Sequence, residues 1–290
     1  MKHCFITLLS VSLLVLVLVS CGNIKSNANF IVADTVSFKT KALHDAVSYK
    51  LSNGKQCAVK TSTLITYPSA YKDSTSTKNL VALFSSSILD INIDSTSIDG
   101  AFQQYLKNIL GQFGSNSTSD IEDCATETCE DNDFTSDFSE YCYDIKITPM
   151  YNSKNIISFC KEEITKRDGK TTMTSRYYFN FDLASISRLD LNNIFSEEDI
   201  SQITQLLKEQ LMAQLKFTNE DDLYEAGYFN LDNLVANNNF LISNEGISWY
   251  YLPYEIACFS IGETKIMLPY STISQYINDN CILSQFKTNN

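Results

Sequence analysis

Histidine, cysteine, activated serine and paired carboxylates carry most of the chemistry that a protein performs without a cofactor. This chain of 290 residues holds two histidines, nine cysteines and 34 acids. His3 lies in an apolar N-terminal leader, which leaves His44 as the one histidine beyond it. A Ser-His-Asp or Cys-His nucleophile would have to rest on His44, and no G-x-S-x-G elbow is present. A metal-dependent deacetylase needs several imidazoles around its ion, so a metal site is not expected either. Acids are plentiful enough for a two-carboxylate glycosidase, but no spacing singles out a pair. The residue types therefore point away from catalysis, and no cofactor and no catalytic residue are expected. What remains is recognition. The segment "YYLPYEIACFSIGETKIMLPY", residues 250–270, sets tyrosines beside prolines, a glutamate and a glycine inside an apolar run. Tyr250, Tyr254, Glu255 and Tyr270 are the candidate binding residues, because aromatic side chains are the usual anchors of interfaces.

Cys21 has a different expected chemistry. Lys2 precedes the apolar run Phe5–Val19, which is too short for a comfortable membrane span, and the run ends in Leu18-Val19-Ser20-Cys21. This resembles the lipobox of bacterial lipoproteins, in which the signal is cut before a cysteine that becomes acylated. Residues 1–20 are then a signal peptide and Cys21 the lipid attachment point, with residues 21–38 as a flexible tether. No acidic cluster follows the cysteine, which favours a protein anchored in the outer membrane and facing the periplasm. Removing residues 1–20 takes away Lys2 and no acid, leaving 21 bases against 34 acids and a net charge of −13. Such a surface disfavours nucleic acid and suits a cationic partner. Seven cysteines stay beyond Cys21: Cys57, Cys124, Cys129, Cys142, Cys160, Cys258 and Cys281. An odd number implies at least one thiol unpaired within the chain, and Cys124 and Cys129 are spaced to close a small local ring.

The elements that must position these residues follow from periodicity. Residues 57–71, "CAVKTSTLITYPSAY", read as a strand broken by Pro68, and 80–94 as a second extended segment. Apolar residues at 98, 101, 102, 105, 106, 109, 110 and 113 give helix periodicity, with Gly114 placed to end it. Residues 115–140 carry many acids and no base, and read as a solvated acidic loop. Three strand-like runs follow, the last two joined at Asp168-Gly169, a strong hairpin signal. Ser196 and Asp199 form a capping box for a helix with the apolar stripe Ile200, Ile203, Leu206, Leu207, Leu211 and Leu215. Strands resume after residue 239. The fold class is α+β, two small units in which a mostly antiparallel sheet packs against a helix. The N-terminal unit spans 39–182 and the C-terminal unit 183–284.

The stretch "FLISNEGISWYYLPYEIACFSIGETKIMLPYSTI" resembles the signature of the extracytoplasmic domain of the RsiV family, lysozyme-sensing anti-sigma factors. The residues that carry the likeness are Phe240, Gly246, Tyr250, Pro253, Tyr254, Glu255, Ile256, Ala257, Gly262, Pro269 and Tyr270. Upstream, "FNFDLASISRLDLNNIF" followed by a helix is similar to the start of that domain, and the likeness extends over residues 45 to 280. One departure is the "RDGKTTMTS" stretch, where the family often has a Gly-Gly-Ala-His turn. The resemblance implies an envelope module whose partner is a lysozyme-like protein or peptidoglycan, since related domains also accompany polysaccharide deacetylases. A lipid-anchored Cys21 leaves no cytoplasmic segment to hold a sigma factor, so an anti-sigma role is not implied. The expected function is a non-catalytic envelope lipoprotein that binds a partner at the cell wall. The alternatives are a wall-glycan hydrolase or deacetylase, and a purely structural lipoprotein.

Overall fold

The computed structural model describes residues 35–50, 56–93, 97–115, 138–229 and 231–287. The leader, Cys21, most of the tether and most of the acidic stretch 115–140 lie outside the described residues, and the expectations about them rest on the sequence alone.

Two long strands open the fold, β1 (Ser37–Lys50) and β2 (Gln56–Ala70), paired antiparallel. Pro68 does not break β2; it sits opposite Phe38, next to a register shift between Ser37 and Phe38. The irregularity accommodates a residue that cannot donate to the ladder. Residues 80–94, expected to be extended, are instead largely helical, since α1 spans Ser74–Ile88. The side chain of Asp73 accepts from Thr75 N and Ser76 N and so starts the helix, and Leu80, Phe84 and Ile88 recur every four residues on its buried face. The contiguous apolar run Leu80–Phe84 hides that periodicity in the sequence. α2 (Ile98–Ser115) forms as its periodicity predicts, burying Ala101, Phe102, Tyr105, Leu106, Ile109 and Leu110.

β3 (Phe138–Ser153) then enters beside β2 and runs parallel to it. The two helices make the crossover that a parallel pair requires. β4 (Ile156–Arg167) and β5 (Lys170–Asp182) add antiparallel hairpins with two-residue turns. Lys154, Asn155, Asp168 and Gly169 all have positive φ, as such turns demand, and Asp168-Gly169 closes where its sequence predicts. The short β6 (Ser187–Arg188) completes a six-stranded sheet in the order β1-β2-β3-β4-β5-β6. The helices cover one face, around Ile65, Phe84, Phe102, Phe159 and Phe181.

A short helix, α3 (Leu191–Ile194), leads to α4 (Glu197–Leu215). Ser196 caps α4 through Asp199 N, three acids occupy its positive first turn, and Ile203, Leu207 and Leu211 are fully buried. After α5 (Glu220–Glu225) come β7 (Phe240–Ile242), β8 (Gly246–Tyr251), β9 (Thr264–Pro269) and α6 (Tyr270–Ile273). The three strands form a second, antiparallel sheet packed on α4, with Trp249 at its centre against Phe195 and Phe240. Gly246 is required there: a Cβ would lie 2.2 Å from the carbonyl oxygen of Leu268.

Two asparagines tie the second sheet to β5. Asn180 donates to Phe240 O at 2.6 Å and accepts from Ile242 N at 3.2 Å. Asn239 donates to Arg176 O and Tyr250 O, and its amide oxygen accepts from Tyr178 N at 2.8 Å. Asn180 is buried, so loss of either amide would strand backbone groups without partners. The described residues belong to one compact unit. The architecture is α+β: a six-stranded sheet with helices on one face and a three-stranded sheet with its own helical cover.

Candidate functional site

β8 is buried along its whole length, which settles the place of its tyrosines. Tyr250 stacks on Tyr178 with ring centroids 4.0 Å apart, and Tyr251 donates its hydroxyl to Val235 O. Tyr270 is buried as well; it stacks on Phe286 at 4.4 Å and donates to Ser243 O at 3.1 Å. Tyr250 and Tyr270, both candidate binding residues by sequence, are thus buried: β8 is covered on both faces, with Tyr178 over Tyr250, and the α6 turn sets Tyr270 against Phe286. Burial pushes the Tyr270 hydroxyl well above the usual tyrosine range.

The other two candidates sit on a turn. Glu255 N donates to Leu252 O at 3.0 Å, closing Leu252-Pro253-Tyr254-Glu255. Pro253 supplies the fixed φ of the second corner and Tyr254 the positive φ, +69°, of the third, an arrangement in which glycine or asparagine is the usual choice. Glu255 locks the turn from inside, accepting from Leu252 N at 2.7 Å and from Asn237 Nδ2 at 3.2 Å. Its carboxylate is therefore a turn clamp. Tyr254 is driven outward, 59% exposed, and lies against the ring of Phe259 at 5.3 Å.

Tyr254 and Phe259 have neighbours of the same kind. Eight large apolar side chains are exposed among the described residues, and five of them are Tyr224, Phe229, Val235, Tyr254 and Phe259, each 43–67% exposed. Tyr224 lies in the last turn of α5, and the others follow it on the described residues up to 237 or lie on the loop 252–262, the two segments being held side by side by hydrogen bonds. Cys258 N donates to Gly227 O at 2.9 Å, Asn233 Nδ2 to Glu255 O at 3.3 Å and Tyr251 to Val235 O at 3.0 Å. Gly227, with φ +97°, leaves no room for a side chain, since a Cβ would meet Cys258 Sγ at 2.9 Å. The loops frame a shallow groove of about 550 Å³ bordered by Tyr177, Leu252, Pro253 and Tyr254.

The charge around these loops is one-signed. Between Lys216 and Lys265 there are eight acids and no lysine or arginine. Counting charge along windows, instead of over the whole chain, would have revealed this. Two of the eight acids pair with bases from outside the stretch: Glu220 with Lys208 at 2.7 Å, and Glu263 with Arg176 at 3.4 Å, which also holds Glu162 at 2.7 Å. Burial raises the Glu263 carboxyl above the ordinary range despite Arg176, and its Oε2 is buried with no hydrogen-bond partner.

His44 is exposed on the opposite strand pair and borders a shallow cleft with Cys142 and Asp144. The Cys142 thiol donates to Glu140 Oε1 at 3.4 Å, and burial together with that carboxylate raises its pKa. A nucleophilic thiol needs the opposite. The five described cysteines, Cys57, Cys142, Cys160, Cys258 and Cys281, are free thiols; Cys124 and Cys129 lie outside the described residues. Burial pushes Cys160 up to about 11, whereas a hydrogen bond from Ser260 lowers Cys258. Among the described residues no group of three or more His, Cys, Asp or Glu side chains could hold a metal ion, and no helix is long and apolar enough to cross a membrane.

Comparison with known proteins adds a family to this geometry. Residues 192–271 match the family described as "Protein of unknown function (DUF3298)". The matched segment runs from α3 to α6 and contains both aromatic loops. Comparison with curated proteins gives no match. The crystal structure of a DUF3298 family member from Bacteroides fragilis NCTC 9343 is similar with a TM-score of 0.66 at 19% identity, over 87% of this chain and 98% of that one. A DUF3298 family protein from Pseudomonas aeruginosa PAO1 gives a TM-score of 0.49 at 12% identity, over 84% of this chain and 96% of that one. The Bacteroides likeness establishes a shared fold across both sheets.

Proposed function

We propose that this chain is a non-catalytic envelope lipoprotein, anchored through Cys21 in the outer membrane and facing the periplasm, that binds a cationic, lysozyme-like protein through its two aromatic loops. One observation carries this reading. Five exposed aromatic or branched side chains are concentrated on loops 224–237 and 252–262, inside a stretch with eight acids and no base. Aromatic anchors ringed by acids suit a strongly basic partner: the rings supply contact area and the field supplies encounter rate. The positive φ of Tyr254 supports the same reading, because backbone strain of this kind tends to persist where exposure of the side chain has a use. The likeness of residues 240–273 to lysozyme-sensing domains points in the same direction. Catalysis finds little support, since His44 and Cys142 are unsuited to form an activated pair.

A peptidoglycan fragment is the second reading. Tyr177, Pro253 and Tyr254 offer flat faces around the groove on which sugar rings could stack. Its polar walls are less apt, because the amides of Asn237 and Asn239 are already engaged in holding backbone and Glu255.

Pull-down with the mature, acylated chain separates the readings. Retention of lysozyme at low salt that declines at high salt supports the protein partner. Retention of insoluble peptidoglycan alone favours the glycan, and retention of neither favours a structural role.

A further inference from the structure

A second recessed site lies at the edge of the helix layer. Side chains on one face of a strand recur every second residue. On β4 the series that starts with the buried Ile157 and Phe159 under the helices continues with Lys161 and Glu163, and on β5 Phe181 is followed outward by Phe179 and Tyr177. α1 ends before it covers these positions. Beyond it, where Asp90 takes a positive φ of +56°, a cleft of about 530 Å³ opens. Its walls include Asp90, Lys161, Glu163, Tyr177, Phe179 and Arg188.

Two of the charged groups in this cleft, Lys161 and Glu163, are recessed, while Asp90 and Arg188 stand at its open edge. Lys161 Nζ lies 2.7 Å from Glu163 Oε1, and both side chains are less than one-fifth exposed, 18% and 16%. Tyr143 donates its hydroxyl to Glu163 Oε2 at 3.1 Å. The ammonium of Lys161 stands over the rings of Tyr105 and Tyr177, at 5.6 Å and 5.9 Å. Arg188 lies over Phe179 and pairs with Asp190 at 2.8 Å. Tyr105, only 5% exposed, keeps a buried hydroxyl with no hydrogen-bond partner beneath this cluster. Stability alone gives little reason for the arrangement, because apolar residues fill such positions at least as well as a desolvated ion pair.

We propose that this cleft binds a small zwitterion, a free amino acid or the end of a short peptide that carries both an ammonium and a carboxylate. Lys161 and Arg188 receive the carboxylate, Glu163 and Asp90 the ammonium, and Tyr177 and Phe179 the apolar body. A phosphate or other pure anion would meet the two carboxylates, and a neutral sugar would gain no charge-assisted hydrogen bond to offset covering the Lys161–Glu163 pair. The site is separate from the protein-binding loops, although Tyr177 borders both the cleft and the Tyr254 groove.

Calorimetric titration of the full chain tests this with free phenylalanine, glycyl-phenylalanine and alanyl-lysine, and with N-acetylated, C-amidated forms of the dipeptides. At least one free zwitterion should bind with Kd below about 1 mM. Removing both end charges should weaken it at least about tenfold. Lys161→Met and Glu163→Gln should each cause a similar loss, while His44→Ala, exposed on β1 and off the cleft, leaves the affinity within about twofold. The capped dipeptides need no variant, so the test survives a variant that fails to fold. No binding by any free zwitterion at about 5 mM, or equal binding of the capped forms, overturns the proposal. Lysozyme binding is read separately, so failure of one site leaves the other standing.

Discussion

Replacing Tyr254 by glycine should separate the cost of this residue to the fold from its value at the surface. The ring is 59% exposed and stacks on Phe259. Its backbone, at φ +69°, lies where a side chain costs about 1–2 kcal/mol that glycine does not incur. Against that relief stand about 0.5–1 kcal/mol for the greater freedom of glycine in the unfolded chain. Loss of a half-solvated aromatic pair adds about 0.5 kcal/mol at the low end of such contacts. The terms nearly cancel. Stability should change by less than about 1 kcal/mol, which for a chain of this size is a shift in Tm of only about 2–4 °C in either direction. Binding should respond quite differently. An aromatic anchor at an interface centre is worth about 2 kcal/mol or more, so affinity for a lysozyme-like partner should fall at least about thirtyfold. Thermal unfolding and calorimetric titration of the same preparation give both numbers. A variant destabilised by more than about 2 kcal/mol with unchanged affinity would refute the reasoning, because Tyr254 would then be a structural residue.

The neighbouring residues should behave in contrasting ways. Tyr270→Phe strands the carbonyl of Ser243 in the interior and should lower stability by about 1–2 kcal/mol in urea unfolding, with partner affinity unchanged. Glu255→Ala removes the acceptor for Leu252 N and Asn237 Nδ2; a loss of about 1–3 kcal/mol is expected, with increased proteolytic nicking near 252–258. Glu263 has a raised pKa in the folded state, so the fold binds its proton more tightly than the unfolded chain does. Stability should therefore decline as pH rises from the unfolded carboxyl value near 4.5 through the raised folded value. The decline should be smaller in Glu263→Gln, and urea midpoints at pH 4 and pH 7 for both proteins check the sign.

Much of the scaffold is written in local pattern. The stripe of α2, the Ser196 cap of α4 and the Asp168-Gly169 hairpin each depend on neighbours within a few residues, so the sequence alone locates them. α1 reads as extended because Leu80–Phe84 is a continuous apolar run; the decisive signal lies seven residues earlier, in Asp73 and the amides it caps. The parallel pairing of β2 with β3 depends on contacts across 82 residues, as in Gln56 against Phe138, and no local pattern encodes it. The site is half legible. The Pro-Tyr-Glu-Ile block is recognisable as unusual, but Tyr250 and Tyr254 look alike in sequence and differ only because β8 is covered on both faces while the turn drives Tyr254 outward. Asn180 and Asn239, which join the two sheets, carry no sequence mark, because their role arises from backbone groups 60 or so residues away. The recessed Lys161 and Glu163 look like ordinary strand charges until the reach of α1 is known.

Amide hydrogen exchange on the purified chain, with and without saturating lysozyme at low salt, tests the central claim most directly. The account predicts slowed exchange in loops 224–237 and 252–262, little change on β1 and β2, and loss of that protection at high salt. Protection centred on the exposed β1–β2 face, or no protection on the two aromatic loops while lysozyme stays bound, would contradict it.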